Sequence, residues 1–559
     1  MYPSNSLMHS SKIKNMKAVK NIYKKIILAT GAAALFSCTK LDQKVYSVVP
    51  NQNFWNTPEQ IAAGIAPAYA SLTAIPDGNY HDLAEIPGDD MIVPARAADW
   101  LAAGQWIQLW QHKWTATTAQ VQDTWTELYA GIGQINFILS IVDNLNPAPT
   151  DLASIDAELK TLRALYYYWA MDLYGNVPLV TSFETDASTL TNSTRKEVYD
   201  FIEKELKDNI QYLSTDVSPA TYGRITKYAA FCTLAKLYLN SQAYTGTPRW
   251  AETAQMCDSV IMSGKYSLQS NYFDNFSVNN EKSIENIFVV PFDSRYIGGN
   301  NWQMETLHYQ NDENYGIPGG AWNGYCTNAE FYSLYDTTSV YTAKGPNTYR
   351  TYNDMRAGQF IVGQQYKEMA TYPPNQDVLS YSTDANLKIK DLKSNLDLSF
   401  YPDFNVISSP DDPFRLAGLR NVKYFPEAGV ATSQSNDMVI YRLADVYLMR
   451  AEASLRAGTA SATDLGYVNA IRERAYSGDT KHDWTMADLT LDNIYKERGR
   501  ELAWENFRRQ DCIRFGTFGE ARKPQKDKDA DDHWHIFPIP ENQHTANPNL
   551  KQNPGYPPF

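Results

Sequence analysis

The sequence predicts a mainly α fold of paired helices that carries a long, irregular, loop-rich elaboration with few short strands. Three observations predict it. Apolar residues recur at helical spacing: Leu159, Leu162, Tyr166, Trp169 and Leu173 make one stripe, and Ile440, Leu443, Ala444, Tyr447, Leu448, Ala451 and Leu455 make another. Between Gly264 and Asp437 this periodicity fades, and Asn, Gly, Pro and aromatic residues take over, with one strand signal at Ile287 to Phe292. The same stretch is too aromatic to be disordered, so it folds against the helices.

The N-terminal end is a targeting segment. Lys17, Lys20, Lys24 and Lys25 precede the uncharged run Ile26 to Phe36, which is too short to span a bilayer and ends in Leu35-Phe36-Ser37-Cys38. That is the layout of a secretory signal, and Met16 is a natural initiator within it. Residues 39–50 are polar and without helical period, as a tether would be.

Along the body at 51–559, Thr57 is placed to cap a helix that has Pro58 at its first position and an apolar face through Ile61, Ile65, Ala68, Tyr69 and Leu72. A loop over 75–106 follows. Trp106, Trp110 and Trp114 recur every four residues, which reads as one buried helix face, and a second long helix is expected from Gln120 to Leu145. Further helices are expected at 154–174, 194–213, 226–241, 250–263, 438–457 and 462–476, which groups the chain into pairs at about 58–145, 154–213, 224–264 and 438–476. Another helix after Asp488 carries Tyr495 to Leu502. Paired helices of this length with Ala and Tyr at the contact face resemble tetratricopeptide hairpins, although the irregular spacing excludes a simple array.

A net charge of −13 and a pI near 5.2 argue against nucleic acid as a partner. Besides Cys38 the cysteines are Cys232, Cys257, Cys326 and Cys512, which is no disulfide framework; Cys232 and Cys257 read as buried thiols or as a bridge. No nucleophile elbow, P-loop, dinucleotide fingerprint or H-E-x-x-H occurs, and no cofactor is expected. Glu501 and Glu505 stand one turn apart on one helix and so cannot flank a glycosidic bond from opposite sides. Asp527, Asp529, Asp531 and Asp532 read as a solvated loop rather than a Ca²⁺ site, because lysines interleave them. The distinctive feature is 38 Tyr, 21 Phe and 13 Trp among many Asn and Gly, a composition that suits sugar faces and hydroxyls and equally suits a core.

Several segments together resemble the SusD-like (RagB/SusD) outer-membrane nutrient-binding lipoproteins. They are the lipobox at Cys38, Asn53-Phe54-Trp55 with Thr57-Pro58-Glu59, Arg163-Ala164-Leu165-Tyr166-Tyr167 with Tyr174-Gly175-Asn176-Val177-Pro178-Leu179, and Gly223-Arg224-Ile225-Thr226-Lys227. Arg442-Leu443-Ala444-Asp445 with Ala451-Glu452-Ala453, Glu497-Arg498 through Arg508-Arg509, and Ile536-Phe537-Pro538-Ile539-Pro540 with Asn547-Pro548-Asn549-Leu550 complete the set. The resemblance implies lipidation of Cys38, about four tetratricopeptide-like helix pairs in one SusD-like domain, and a non-catalytic lid on a TonB-dependent outer-membrane transporter that captures oligosaccharides or, in some members, peptides.

It further implies a ligand groove made by irregular segments away from the helix pairs, at about 75–114 and 265–437. The candidates are Asp89, Asp90 and Asp99 as hydroxyl acceptors, Arg96 as a fork donor and Trp100 as a stacking surface, then Tyr296, Trp302, Trp322, Asn323 and Tyr325, with Gly298-Gly299 and Gly319-Gly320 opening the backbone. Asp90 equally suits a turn cap, and Cys326 suits the core or the groove. Arg163, Arg224 and Arg442 are assigned to internal salt bridges. Asp89, Asp90 and Asp99 would favour basic peptides if the ligand were a peptide; a surface glycoside hydrolase and a protein-binding helical scaffold are the remaining readings.

Overall fold

The computed structural model describes residue 55 and residues 57–559, apart from 98, 146, 147, 150, 345, 346, 369, 375 and 382–384. Cys38, the tether at 39–50 and Asn53-Phe54 lie outside these residues. Helix α1, Pro58–Ala70, opens as the sequence expects: Thr57 Oγ1 accepts from Gln60 N at 3.3 Å while Gln60 Oε1 accepts from Thr57 N at 3.2 Å. Then follow α2 Asn79–Glu85, α3 Gln105–Trp110, α4 Ala119–Val142, α5 Leu152–Tyr174, α6 Arg195–Asn209, α7 Lys227–Leu239 and α8 Trp250–Ile261. After the irregular stretch come α9 Leu443–Ala457, α10 Ala462–Ala475, α11 Leu491–Leu502 and α12 Arg508–Phe515.

Neighbouring helices pack in chain order, α4 on α5, α5 on α6, α7 on α8 and α9 on α10, while α8 also packs on α9 and α12 returns onto α2. Helix α5 is the centre. From Thr161 to Tyr174 every residue is buried, the signature of a helix with no solvent face. It lies so close to α4 that a Cβ on Gly131 would fall 2.4 Å from the Tyr166 ring. Its buried charges are paired: Arg163 Nε donates to Glu205 at 2.8 Å and Asp172 Oδ2 accepts from Arg509 at 2.8 Å.

Two expectations needed correction. The segment Met438 to Ala457 reads as one helix, yet Met438–Arg442 is a strand, antiparallel to Asn286–Val290 with Met438 opposite Val290. All five of its residues are buried, and a run buried on both faces carries no period to separate strand from helix. The tryptophan helix also stops early. Trp110 closes α3, His112 turns with φ 52°, and Trp114 is buried beyond the helix while Trp106 stays half-exposed. In the elaboration, Ser339–Lys344, Asn347–Tyr352 and Gln376–Tyr381 form a small antiparallel sheet.

The motif residues at the C-terminal end build a buried ionic core. Arg442 donates to Glu285 at 2.9 Å, to Glu501 at 2.5 Å and through Nε to Glu505 at 2.7 Å. Arg356 bridges Asp354, Glu497 and Glu501, and Asp445 takes Lys236 at 2.7 Å and Arg498 at 3.0 Å. Together they bolt β-strand, irregular segment and α11 into one piece. Cys232, Cys257, Cys326 and Cys512 are free and buried.

Candidate ligand-binding face

Asp82 on α2 joins the helices to the irregular segments. Its carboxylate accepts from Tyr325 Oη at 2.8 Å, Trp106 Nε1 at 2.8 Å and Gln120 Nε2 at 3.1 Å. Burial pushes its pKa up to about 6, and these three donors oppose the rise. Above this pivot two loops meet, 95–104 and 319–326.

Arg96 is the staple between them. It is fully buried, and its guanidinium donates to Asn323 O at 2.7 Å, Gly324 O at 2.8 Å, Ala417 O at 2.9 Å and Cys326 Sγ at 3.1 Å. Asn323, in the left-handed region at φ 61°, accepts from Arg420 Nε at Oδ1 at 2.9 Å and donates Nδ2–H to Arg415 O at 3.1 Å. Both side chains are fully buried, so they are supports of the face rather than its surface. The same correction holds for Trp302 and Tyr325, which are buried in the core, and for Asp90, whose Oδ2 accepts from Trp504 N at 3.1 Å. Asp89 is clamped by Arg508 at 2.5 and 3.0 Å. What misled the reading is general: an Arg or Asn in an irregular, aromatic-rich segment looks like a ligand contact whether it points out or in.

Trp100, Trp322 and Asp99 do reach the surface. Trp322 is 39% exposed, and Trp100 is half-buried, donating Nε1–H to the Trp322 carbonyl at 2.7 Å. Its ring stands edge-on to Trp106 at 4.8 Å. The backbone around it is unusual, with Ala97, Trp100, Ala102 and Ala103 all at positive φ. Such strain persists only where surrounding structure over-determines it, here Arg96 below and the 319–326 loop alongside. Gly324 is needed for that approach, since a Cβ there would sit 2.4 Å from the Trp100 ring; Gly320, at φ 76°, admits the Tyr309 carbonyl where a Cβ would lie 1.9 Å away. Gly320 therefore lets chain approach chain, where the sequence invited chain approaching ligand, while Gly319 beside it faces open space.

Asp99 accepts from Tyr309 Oη at 2.6 Å and Arg415 Nη1 at 2.7 Å, with the Lys393 ammonium 3.9 Å away. Burial raises its pKa, but the Tyr309 hydroxyl and Arg415 outweigh it and hold the carboxyl below its usual range. Arg415 lies 4.7 Å over the Tyr309 ring. Beyond Lys393 the surface opens into a shallow depression of about 630 Å³, lined by Lys393, Leu396, Tyr401, Ser409, Asp411 and Phe414. Ser409 is tied to the Trp100 loop, for its carbonyl accepts from Ala97 N at 2.8 Å. Tyr309, Lys393, Arg415 and Tyr401 were not singled out from the sequence, because each comes from a different stretch of the aperiodic region. Tyr296, 80% exposed in the turn 293–297, packs on the Arg295 guanidinium at 5.1 Å, apart from this cluster of contacts.

A family model described as the SusD family matches residues 284–556, and a second, described as starch-binding associating with outer membrane, matches 40–239. The chain belongs to the SusD family. The starch-binding protein SusD of Bacteroides thetaiotaomicron is 26% identical over 473 residues, covering 80% of this chain and 81% of that protein. Among solved structures, a SusD homologue of Bacteroides thetaiotaomicron superposes with a TM-score of 0.68 at 20% identity, over 90% of this chain and 98% of its own. Surface glycan-binding protein A of Bacteroides uniformis superposes with a TM-score of 0.66 at 18% identity, over 89% and 99%. The SusD-like fold expected from the motifs is the fold observed. Its motif residues Arg163, Arg224 and Arg442 lie in internal ion pairs, with Glu205, Glu158 and Glu501 among their partners.

Proposed function

We propose that this protein is a cell-surface lipoprotein, anchored to the outer membrane through acylated Cys38, that captures an oligosaccharide on the Trp100–Trp322 face and passes it without chemistry to a TonB-dependent outer-membrane transporter. The observation that carries the reading is the exposed Trp322 joined to Trp100 on a doubly braced loop pair, beside an open, polar-rimmed depression. Indole faces bury the C–H face of a sugar ring, and the Ser409, Asp411 and Tyr401 groups exchange water for sugar hydroxyls. A rigid support matters because a shallow site has little binding energy from which to order its own loops. The names of the relatives, starch-binding and surface glycan-binding, support a glycan over other ligands. The balance of charge supports a neutral one, since Asp99 faces Arg415 and Lys393 while Asp411 and Asp412 line the depression. A basic peptide has less support, since of the three carboxylates that would favour it Asp89 and Asp90 are held by Arg508 and Trp504 and Asp99 alone reaches the surface.

Affinity is expected between about micromolar and millimolar, or roughly −8 to −4 kcal/mol. Affinity electrophoresis of the chain from residue 39 onward through gels containing neutral glucans, mannans, xylans and galactans tests the reading. Retardation by at least one neutral polysaccharide is expected; free migration through the whole panel, with protein shown to be folded, would end it.

A further inference from the structure

Far along the chain from the Trp100–Trp322 face, a cavity of about 340 Å³ opens between the 216–223 loop, the start of α7 and the strand Asn286–Val290. This is the low end of the size of small-molecule sites. Two aromatic side chains, Tyr222 and Tyr266, and two carboxylates, Asp216 and Glu281, stand on its wall, and no Lys or Arg does. Thr226, itself 4% exposed, also lines it, and its Oγ1 has no hydrogen-bond partner; the Tyr266 phenol is beside it, short of hydrogen-bond geometry. Thr226 precedes α7 without capping it, so the helix does not account for its hydroxyl either. Asn286, whose Nδ2 donates to Asn275 O at 3.1 Å, holds a second unpartnered acceptor, Oδ1.

The surroundings are negative. Tyr222 Oη donates to the buried Asp437, whose other oxygen accepts from Phe292 N at 2.8 Å. After burial, the charges that act on the Tyr222 phenol are Asp437 and Glu281, and those that act on Asp437 are Glu281 and Asp293, the last of which is paired with the exposed Arg295 at 3.2 Å. Glu281 has only the exposed Lys282 ammonium at 3.6 Å, a pair of small worth in solvent. The positive end of α7 at Thr226 opposes a cation, but about half a charge there is outweighed by two full carboxylate charges.

We infer that this cavity is a second binding site, for a small ligand that carries a protonated primary amine. The amine would place three donors among an excess of acceptors, next to the Tyr222 and Tyr266 rings, whose faces attract cations. An amino sugar and a lysine side chain share this chemistry. The site is independent of the glycan face, and either can fail alone.

Calorimetry and ligand-observed NMR on the chain from residue 39 onward, at mildly acidic pH, would compare glucosamine, glucose and Nα-acetyl-lysine amide. Glucosamine or the lysine amide should bind at least about tenfold more tightly than glucose. The tighter of the two identifies the source of the amine. The Asp216→Asn, Glu281→Gln double variant, with an unchanged melting curve, should weaken amine binding at least about tenfold, and Trp322→Ala should leave it unchanged. Equal binding of glucose and glucosamine, no binding of either amine, or a folded double variant that keeps full amine affinity would overturn the inference.

Discussion

The helical body and the ligand face use polar and aromatic residues in opposite ways. Around α9 and α11 the charged side chains are buried and paired; Arg442 alone meets three carboxylates, and Arg498 meets Asp445 and Asp511. On the face, an indole and several ionic groups lie open to solvent, on a backbone with repeated positive φ. The difference teaches where sequence signals point in this protein. The motif residues that made the family legible are braces, whereas the groups proposed to meet ligand sit in stretches without a motif.

Removing a brace should have the largest effect. Arg442→Met leaves Glu285, Glu501 and Glu505 short of a partner in the core, and breaking a buried charge set of this kind costs about 3–5 kcal/mol. Denaturant unfolding should show a lower midpoint at an unchanged slope. A variant as stable as the parent would mean that the body does not depend on these pairs and would dissolve the contrast.

Trp322→Ala should do the reverse. It removes a 39% exposed ring, so the melting temperature should hold while glycan affinity falls by about 1–3 kcal/mol, the scale of an aromatic anchor. Gly324→Ala sharpens the comparison, because it touches the face only through Trp100. With a Cβ 2.4 Å from the indole, the ring must shift, and affinity should drop by about 1 kcal/mol with a change in tryptophan fluorescence. Unchanged fluorescence would show that the loop yields instead of the ring.

The smallest effect is in the pH dependence of stability, where the two regions oppose each other. Burial raises the Glu501 carboxyl, but Arg474, Arg442 and Arg356 together hold it down to about 2. A depressed carboxylate contributes stability above its unfolded value, about 4.3, that is lost as pH falls through its folded one. Asp77, beneath the face, is pushed by burial up to about 7 while its Oδ2 accepts from Asn301 N at 2.6 Å. Its sign is opposite: the contribution is complete below about 3.9 and is lost as pH rises through about 7. Thermal midpoints should therefore be highest near about pH 4, where both contributions are nearly complete, and fall toward about pH 2 as Glu501 takes up its proton and toward about pH 7 as Asp77 ionises. A midpoint still rising between about pH 4 and 7 would contradict the charge state assigned beneath the face.

Much of the body was legible because solvent-facing helices must alternate apolar and polar residues with their own period. The span of α4 follows from that rule, the cap at Thr57 follows from Thr before Pro58, and the internal ion pairing of Arg163 follows from its place on a buried helix. The strand Met438–Arg442 was hidden because burial on both faces erases the period. On the face, Trp100, Trp322 and Asp99 were legible as exposed candidates. Arg96 and Asn323 pointed the wrong way because direction depends on partners more than 200 residues away, such as Arg96 on Asn323 at a separation of 227. Tyr309, Lys393 and Arg415 were missed for the same reason, being brought to Asp99 only by the fold.

The most direct test of the central claim is a paired titration of one neutral oligosaccharide that the parent binds, run by calorimetry on Trp322→Ala and Tyr325→Phe. Trp322 is exposed on the face, while Tyr325 lies buried beneath it with its hydroxyl on Asp82. Trp322→Ala is expected to lose about tenfold or more in affinity while Tyr325→Phe stays close to the parent. Full affinity in a folded Trp322→Ala would contradict the account and move the ligand to another part of the molecule.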